Sequence, residues 1–156
     1  MVENQNSALN HLTFQNNHMQ KYTSPVITVE PEASIHDTLL QMQTNFIKRI
    51  VVVLKNKPVG VVTERDISKF LEQDKTAKAL DEIPIKYVMK KDPIVVQDMV
   101  DNHLEQCATR MVTFNIGSVV LVDDSGDIIG IVTKTDIAKA YSKIYGGQYK
   151  VKNYMT

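Results

Sequence analysis

The sequence predicts a mixed α/β fold of the α+β type, built from two β-α-β-β-α units. Three observations predict it. One pattern in the first half of the chain is written again further on, in the same order. Within each copy, short continuous apolar runs alternate with a segment of helical period. Each copy also passes from its last apolar run into Gly-apolar-apolar-Thr-x-x-Asp.

The elements follow in order. Residues 1–20 hold five Asn and three Gln with few apolar residues, the composition of a polar arm. Pro25-Val26-Ile27 is echoed by Pro93-Ile94-Val95 at an offset of 68. Ile35, Leu39, Met42 and Phe46 fall at i, i+4, i+7 and i+11, one stripe of a helix. Leu104, Ala108 and Met111 echo the first three of these at an offset of 69. Ser34 with Asp37, and Asn102 with Glu105, supply N-terminal caps. A buried strand is expected at Ile50–Leu54 and again at Val119–Val122. Turns follow at Lys55–Pro58 and at Asp123–Gly126, and short strands at Val59–Val62 and Ile128–Val132 complete two hairpins. Gly60 to Ile67 is echoed by Gly130 to Ile137 at an offset of 70, and a second helix starts near Thr63 and near Thr133. Its inward residues are expected to be Ile67, Phe70 and Leu71, answered by Ile137, Ala140, Tyr141 and Ile144. The reading divides the chain into an arm (1–20), a first unit (21–82), a second unit (83–145) and a C-terminal segment (146–156). A single such unit buries too little surface to be secure alone, so the two are expected to share one core.

Composition narrows the function. The 156 residues are 43% hydrophobic, enough to fill a core. Eighteen basic residues balance eighteen acidic ones, whereas a dedicated nucleic-acid binder carries a basic excess. No apolar run reaches the ~20 residues of a membrane span, and the N-terminus has no basic-then-apolar leader. Cys107 is the one cysteine and falls on the inward side of a helix, where a buried thiol is expected. The expectation is a cytoplasmic protein. His11, His18, His36 and His103 have no metal-ligand spacing, and Asp123–Asp127 lacks the length and closing Glu of a calcium loop. No metal is expected. No Ser-His-Asp or paired-acid arrangement emerges either, so the chain reads as a binding protein and not as an enzyme.

A tandem pair of units, each ending its hairpin in Gly-apolar-apolar-Thr-x-x-Asp, resembles the cystathionine-β-synthase (CBS) domain family. The resemblance covers roughly residues 21–145; Ile85-Lys-Tyr-Val-Met89 before Asp92-Pro93 is similar to the linker that opens a second CBS unit. Ile47-Lys-Arg-Ile-Val-Val and Ile116-Gly-Ser-Val-Val-Leu resemble the family's entry into its first hairpin strand. The resemblance implies a pseudo-twofold module whose clefts bind an adenine nucleotide (AMP, ADP or ATP) or S-adenosylmethionine. It implies that Asp66 and Asp136 hold ribose hydroxyls and that Thr63 and Thr133 lie near ribose and phosphates. Backbone around Ile27 and Val95 would meet adenine, and Lys48, Arg49, Arg65 and Lys134 would be phosphate partners. It further implies a flat homodimer and a sensor acting on a regulated protein. With no second domain read from these residues, that protein would be contacted in trans. The alternative is a dimeric scaffold that binds no ligand.

Chemistry fits these roles. A carboxylate accepts from both hydroxyls of a diol, and charge-assisted bonds of that kind contribute about 1.5–3 kcal/mol. A helix N-terminus favours an anion. Thr-x-x-Asp is equally a helix-capping signature, and exposed lysines and arginines are equally solvated surface. Lys48-Arg49 is matched by Gly117-Ser118, so the two sites are expected to differ in charge and in affinity.

Overall fold

The structure, a computed structural model, describes residues 26–97 and 103–149, the side chains of 103 and 143–149 excepted. The polar arm, the Asn102 cap, the side chain of Ile144 and the last seven residues lie outside the described residues. The described residues form two compact units, one of residues 26–94 with 125–129, the other of 95–97, 103–124 and 130–149.

The first repeat contributes β1 (Thr28–Val29), α1 (Ile35–Thr44), β2 (Arg49–Leu54), β3 (Lys57–Thr63) and α2 (Glu64–Gln73). A single 3₁₀ turn (Ile85–Tyr87) and β4 (Lys90–Lys91) come next. The second repeat contributes β5 (Val95–Gln97), α3 (His103–Phe114), β6 (Ser118–Val122), β7 (Ile128–Thr133) and α4 (Lys134–Tyr149). One sheet runs β1-β2-β3-β4 and the other β5-β6-β7. In both, the first short strand pairs in parallel with the strand after the helix: Thr28 with Val51, and Val95 with Val120.

Local chemistry sets the element ends. Ser34 caps α1, its Oγ accepting from the Asp37 amide at 3.0 Å, as its sequence predicts. The buried Thr38 hydroxyl is satisfied by donating to the Ser34 carbonyl at 2.8 Å. Phe46 corrects the helical stripe. The helix ends at Thr44, and Phe46 stands just past the cap at φ 54° with 95% of its surface exposed. The Ile47 amide reaches back to the Met42 carbonyl at 3.0 Å and the Phe46 amide to Gln43 at 3.4 Å. This is the Schellman arrangement, which needs a left-handed residue at that point. Asn115 fills the same role after α3, with φ 51° and the Ile116 amide on the Met111 carbonyl at 3.0 Å. The first turn is also tighter than expected. Only Lys55 and Asn56 form it, at φ 51° and 65°, while Lys57 and Pro58 open β3. Pro58 faces Val53 beside a bulge between Val52 and Val53, a position that tolerates its missing N–H.

Two hydrophobic clusters stand out among the buried residues, and Val51, Val120, Val122, Ile131 and Ala140 are buried outside both. Ile35, Met42, Ile50, Val52, Val62, Ile67, Ile83 and Ile85 make the first; Val96, Cys107, Met111, Val119, Leu121 and Val132 make the second. Each sheet is covered by helices of its own repeat: α1 packs on β2, α2 on β3, and α3 on β5 and β6. Ile83 and Ile85 belong to the first cluster, and β4 pairs with β3, so the packing and the repeat register divide the chain at different places. Of the residues expected inward on the second helices, Ile67 and Ala140 are buried and Phe70 and Ile137 half-buried. Leu71 and Tyr141 are exposed instead, because each follows the buried stripe by one residue, about 100° around the helix.

Candidate functional site

Each repeat turns one corner, where its last strand becomes its last helix. In the first, Thr63 closes β3 and caps α2. Its Oγ1 accepts from the Asp66 amide at 3.1 Å, and its own amide donates to Asp66 Oδ2 at 2.9 Å. In the second, Thr133 Oγ1 accepts from the Asp136 amide at 3.2 Å, and the Thr133 amide donates to Asp136 Oδ2 at 2.8 Å. The Thr133 hydroxyl adds a third bond, to the same Oδ2 at 2.9 Å. Both motifs are therefore reciprocal capping boxes, with Asp doing what Glu or Gln more often does. Asp136 is buried, and the Asp66 side chain is 11% exposed.

These boxes alter the expected anion site. The Glu64 amide donates to the Lys48 carbonyl at 3.0 Å, and the Lys134 amide to the Gly117 carbonyl at 3.2 Å. Two of the three first-turn amides at each corner are thus taken within the chain, leaving those of Arg65 and Thr135 outside these bonds. The Asp66 carboxylate is likewise engaged. Oδ2 of Asp66 serves the cap, and Oδ1 faces the Lys90 ammonium at 3.5 Å.

Sheet register brings most of the first-repeat candidates to one end of the sheet. Arg49 lies directly across from Thr63, with Lys48 before it, and Ile27 immediately precedes β1, whose Thr28 is opposite Val51. Ile27 is half-buried against the first core. Lys48 and Arg65 are exposed and Arg49 half-buried. In the second repeat Val95 is exposed on β5, and Lys134 is exposed at the first position of α4. Among the described residues none of Lys48, Arg49, Arg65 and Lys134 forms an ion pair. By backbone position Lys48, Arg49, Arg65 and Lys90 fall at the first corner, whereas Lys134 falls at the second.

Lys90 is the residue that sequence reasoning missed. It sits on β4 opposite Val61, two residues from Thr63. A Cβ on Gly60 would lie 2.5 Å from Met89 Sδ and 3.1 Å from the Lys90 carbonyl, so glycine is what lets this strand close on β3. In the sequence, Met89-Lys-Lys reads as a solvated linker, and nothing local announces a fourth strand.

Two cavities of the first unit lie elsewhere. One of about 620 Å³ is lined by Phe70, Asp74, Lys78, Ile83 and Tyr87 among others; one of about 480 Å³ by Val29, Glu30, Glu32, Asp37 and Leu40 among others. Neither includes Thr63 or Asp66. Among the described residues no group of three His, Cys, Asp or Glu is arranged to hold a metal ion, and no helix is long and apolar enough to cross a membrane.

Against known proteins, the CBS domain model matches residues 19–73 and 85–143, one stretch for each repeat. This chain belongs to the CBS domain family. As a tandem CBS pair it is similar to the CBS domain pair of protein MJ0100, solved in complex with 5-methylthioadenosine and S-adenosyl-L-methionine. That likeness is 29% identity and TM-score 0.67, over 79% of this chain and 98% of the other. It is also similar to the CBS domain protein PAE2072 of Pyrobaculum aerophilum, solved in complex with AMP: 26% identity and TM-score 0.63, over 76% and 88% of the two chains. The uncharacterized protein MK0525 of Methanopyrus kandleri is 33% identical over 114 residues, 72% of this CBS pair and 56% of that protein. Among the first curated relatives, this CBS pair spans between 36% and 56% of their length.

Proposed function

We propose that this CBS pair is a regulatory sensor of adenosine-containing ligands, AMP, ADP, ATP or S-adenosylmethionine, and that it acts as a homodimer on a partner protein in trans. The observation that carries the reading is the corner built twice, with a carboxylate fixed by a capping box at the end of a strand. The AMP complex of PAE2072 and the S-adenosylmethionine complex of MJ0100 support the ligand class. In this reading Asp66 and Asp136 accept from ribose hydroxyls while Thr63 and Thr133 fix each carboxylate and approach ribose and phosphate. Backbone around Ile27 and Val95 meets adenine. Lys48, Arg49, Arg65 and Lys134 take the phosphates, where the Arg65 amide adds a donor at the helix start. A ligand bound more tightly by one arrangement of the repeats shifts the population toward it, and the partner reads that arrangement.

The capping boxes favour a second reading, a dimeric scaffold whose Thr-x-x-Asp motifs serve only the helices. Thermal melting with AMP, ADP, ATP, S-adenosylmethionine and GTP separates the two. A ligand at a hundred times its dissociation constant adds about 2.7 kcal/mol to stability. An adenosine compound that raises the melting temperature while GTP does not supports the sensor. No shift with any adenosine compound overturns it in favour of the scaffold.

A further inference from the structure

Asp66 Oδ2 is committed to the cap, so its Oδ1 is the oxygen left to meet a ribose diol, and that oxygen faces the Lys90 ammonium at 3.5 Å. We infer that Lys90 sets the ligand preference of the first corner, competing with the diol for Asp66 and favouring anionic adenosine ligands over neutral or cationic ones. This rests on the diol-binding reading of Asp66 proposed above. β4 is tied to β3 by pairing at Gly60–Lys91 and Val61–Lys90, and the bare Cα of Gly60 allows that approach. The lysine's backbone is therefore fixed, and its four-carbon stem alone can move. Its side chain is 79% exposed, so the ion pair is easily broken, but the displaced ammonium stays within a side chain's reach of the site. Two consequences follow. A neutral nucleoside must displace Lys90 and gains nothing from it afterwards. A ligand with a phosphate meets the released charge beside Lys48, Arg49 and Arg65, whereas the sulfonium of S-adenosylmethionine is repelled.

The test is calorimetry of the wild-type protein, Lys90→Met, Asp66→Asn and the double variant with adenosine, AMP and S-adenosylmethionine. Lys90→Met is expected to tighten adenosine and S-adenosylmethionine at the first corner by about two- to fivefold, the range of an exposed ion pair. The AMP-to-adenosine affinity ratio is expected to fall by a similar factor. In the Asp66→Asn background the gain for adenosine should vanish. Adenosine binding that is unchanged or weakened by Lys90→Met overturns the inference. If Asp66→Asn leaves adenosine binding whole, or no variant binds adenosine, the diol reading itself fails. If Asp66→Asn weakens adenosine while Lys90→Met does nothing, the role of Lys90 alone is lost.

Discussion

Truncating the two motif aspartates should destabilise the protein unequally. Asp136→Ala removes the acceptor of two bonds, from the Thr133 amide at 2.8 Å and its hydroxyl at 2.9 Å, both to a buried carboxylate. It also removes an acid from the first turn of a helix, where negative charge is favoured. Cap losses run at about 0.5–2 kcal/mol, and a bond to a charged group contributes about 1.5–3 kcal/mol, so a loss of ~2–3 kcal/mol is expected for this corner. Asp66→Ala removes one cap bond, from the Thr63 amide at 2.9 Å, and an ion pair to a largely exposed lysine worth at most ~1 kcal/mol. The expectation there is ~1–2 kcal/mol. Urea unfolding followed by far-UV circular dichroism measures both, with a lower midpoint and an unchanged slope marking a stability change. Equal costs at the two corners would refute the unequal commitment of the two carboxylates, and a cost below ~0.5 kcal/mol at either would refute its role as a structural acceptor. Calorimetry with AMP on the same proteins separates the roles: stability lost with binding intact assigns the motif to capping alone.

Three further outcomes follow from positions described above. Phe46→Asn should stabilise the protein by about 0.5–1 kcal/mol, because a bulky exposed residue at φ 54° gives way to one that tolerates it, as Asn115 does in the second repeat; a lower urea midpoint would contradict this. Gly60→Ala should cost about 1–3 kcal/mol, since its new methyl must move Met89 and crowds the Lys90 carbonyl, and thermal melting reads it directly. Asp74 accepts from the Thr76 amide at 3.0 Å and hydroxyl at 2.8 Å, and these bonds hold its carboxyl below the usual aspartate range. Its contribution is therefore present above the ordinary aspartate pKa and lost as pH falls through the lowered one. An NMR titration of the Asp74 carboxyl should show a midpoint below that of free aspartate.

Much of the architecture was written in the chain because periodicity and repetition are local properties. The hairpin strands, the Ser34 cap and the Thr63 and Thr133 starts all follow from residues within a few positions of one another. Phe46 was misplaced for a physical reason: its spacing continues the stripe, but the helix stops two residues earlier, and an apolar side chain alone does not announce a left-handed stop. The pairing of β4 with β3 was invisible because it depends on Gly60 meeting Met89, residues remote in sequence. At the site, the Thr-x-x-Asp spacing made capping legible as an alternative, and the structure places both motifs in that geometry. The opposition of Asp66 to Lys90 required the third dimension.

The tip of the second hairpin has its own consequence. Lys57 donates to the Ser125 carbonyl and lies 2.6 Å from Asp127, and the Ile128 amide donates to the Asn56 carbonyl at 3.0 Å. Five residues of the later copy thus belong to the compact body built by the earlier one. What was duplicated and what folds are therefore different stretches of polypeptide. Cutting the gene at the repeat boundary would sever a fragment from the body it completes, so the two halves are better exchanged between homologues as a pair than one at a time.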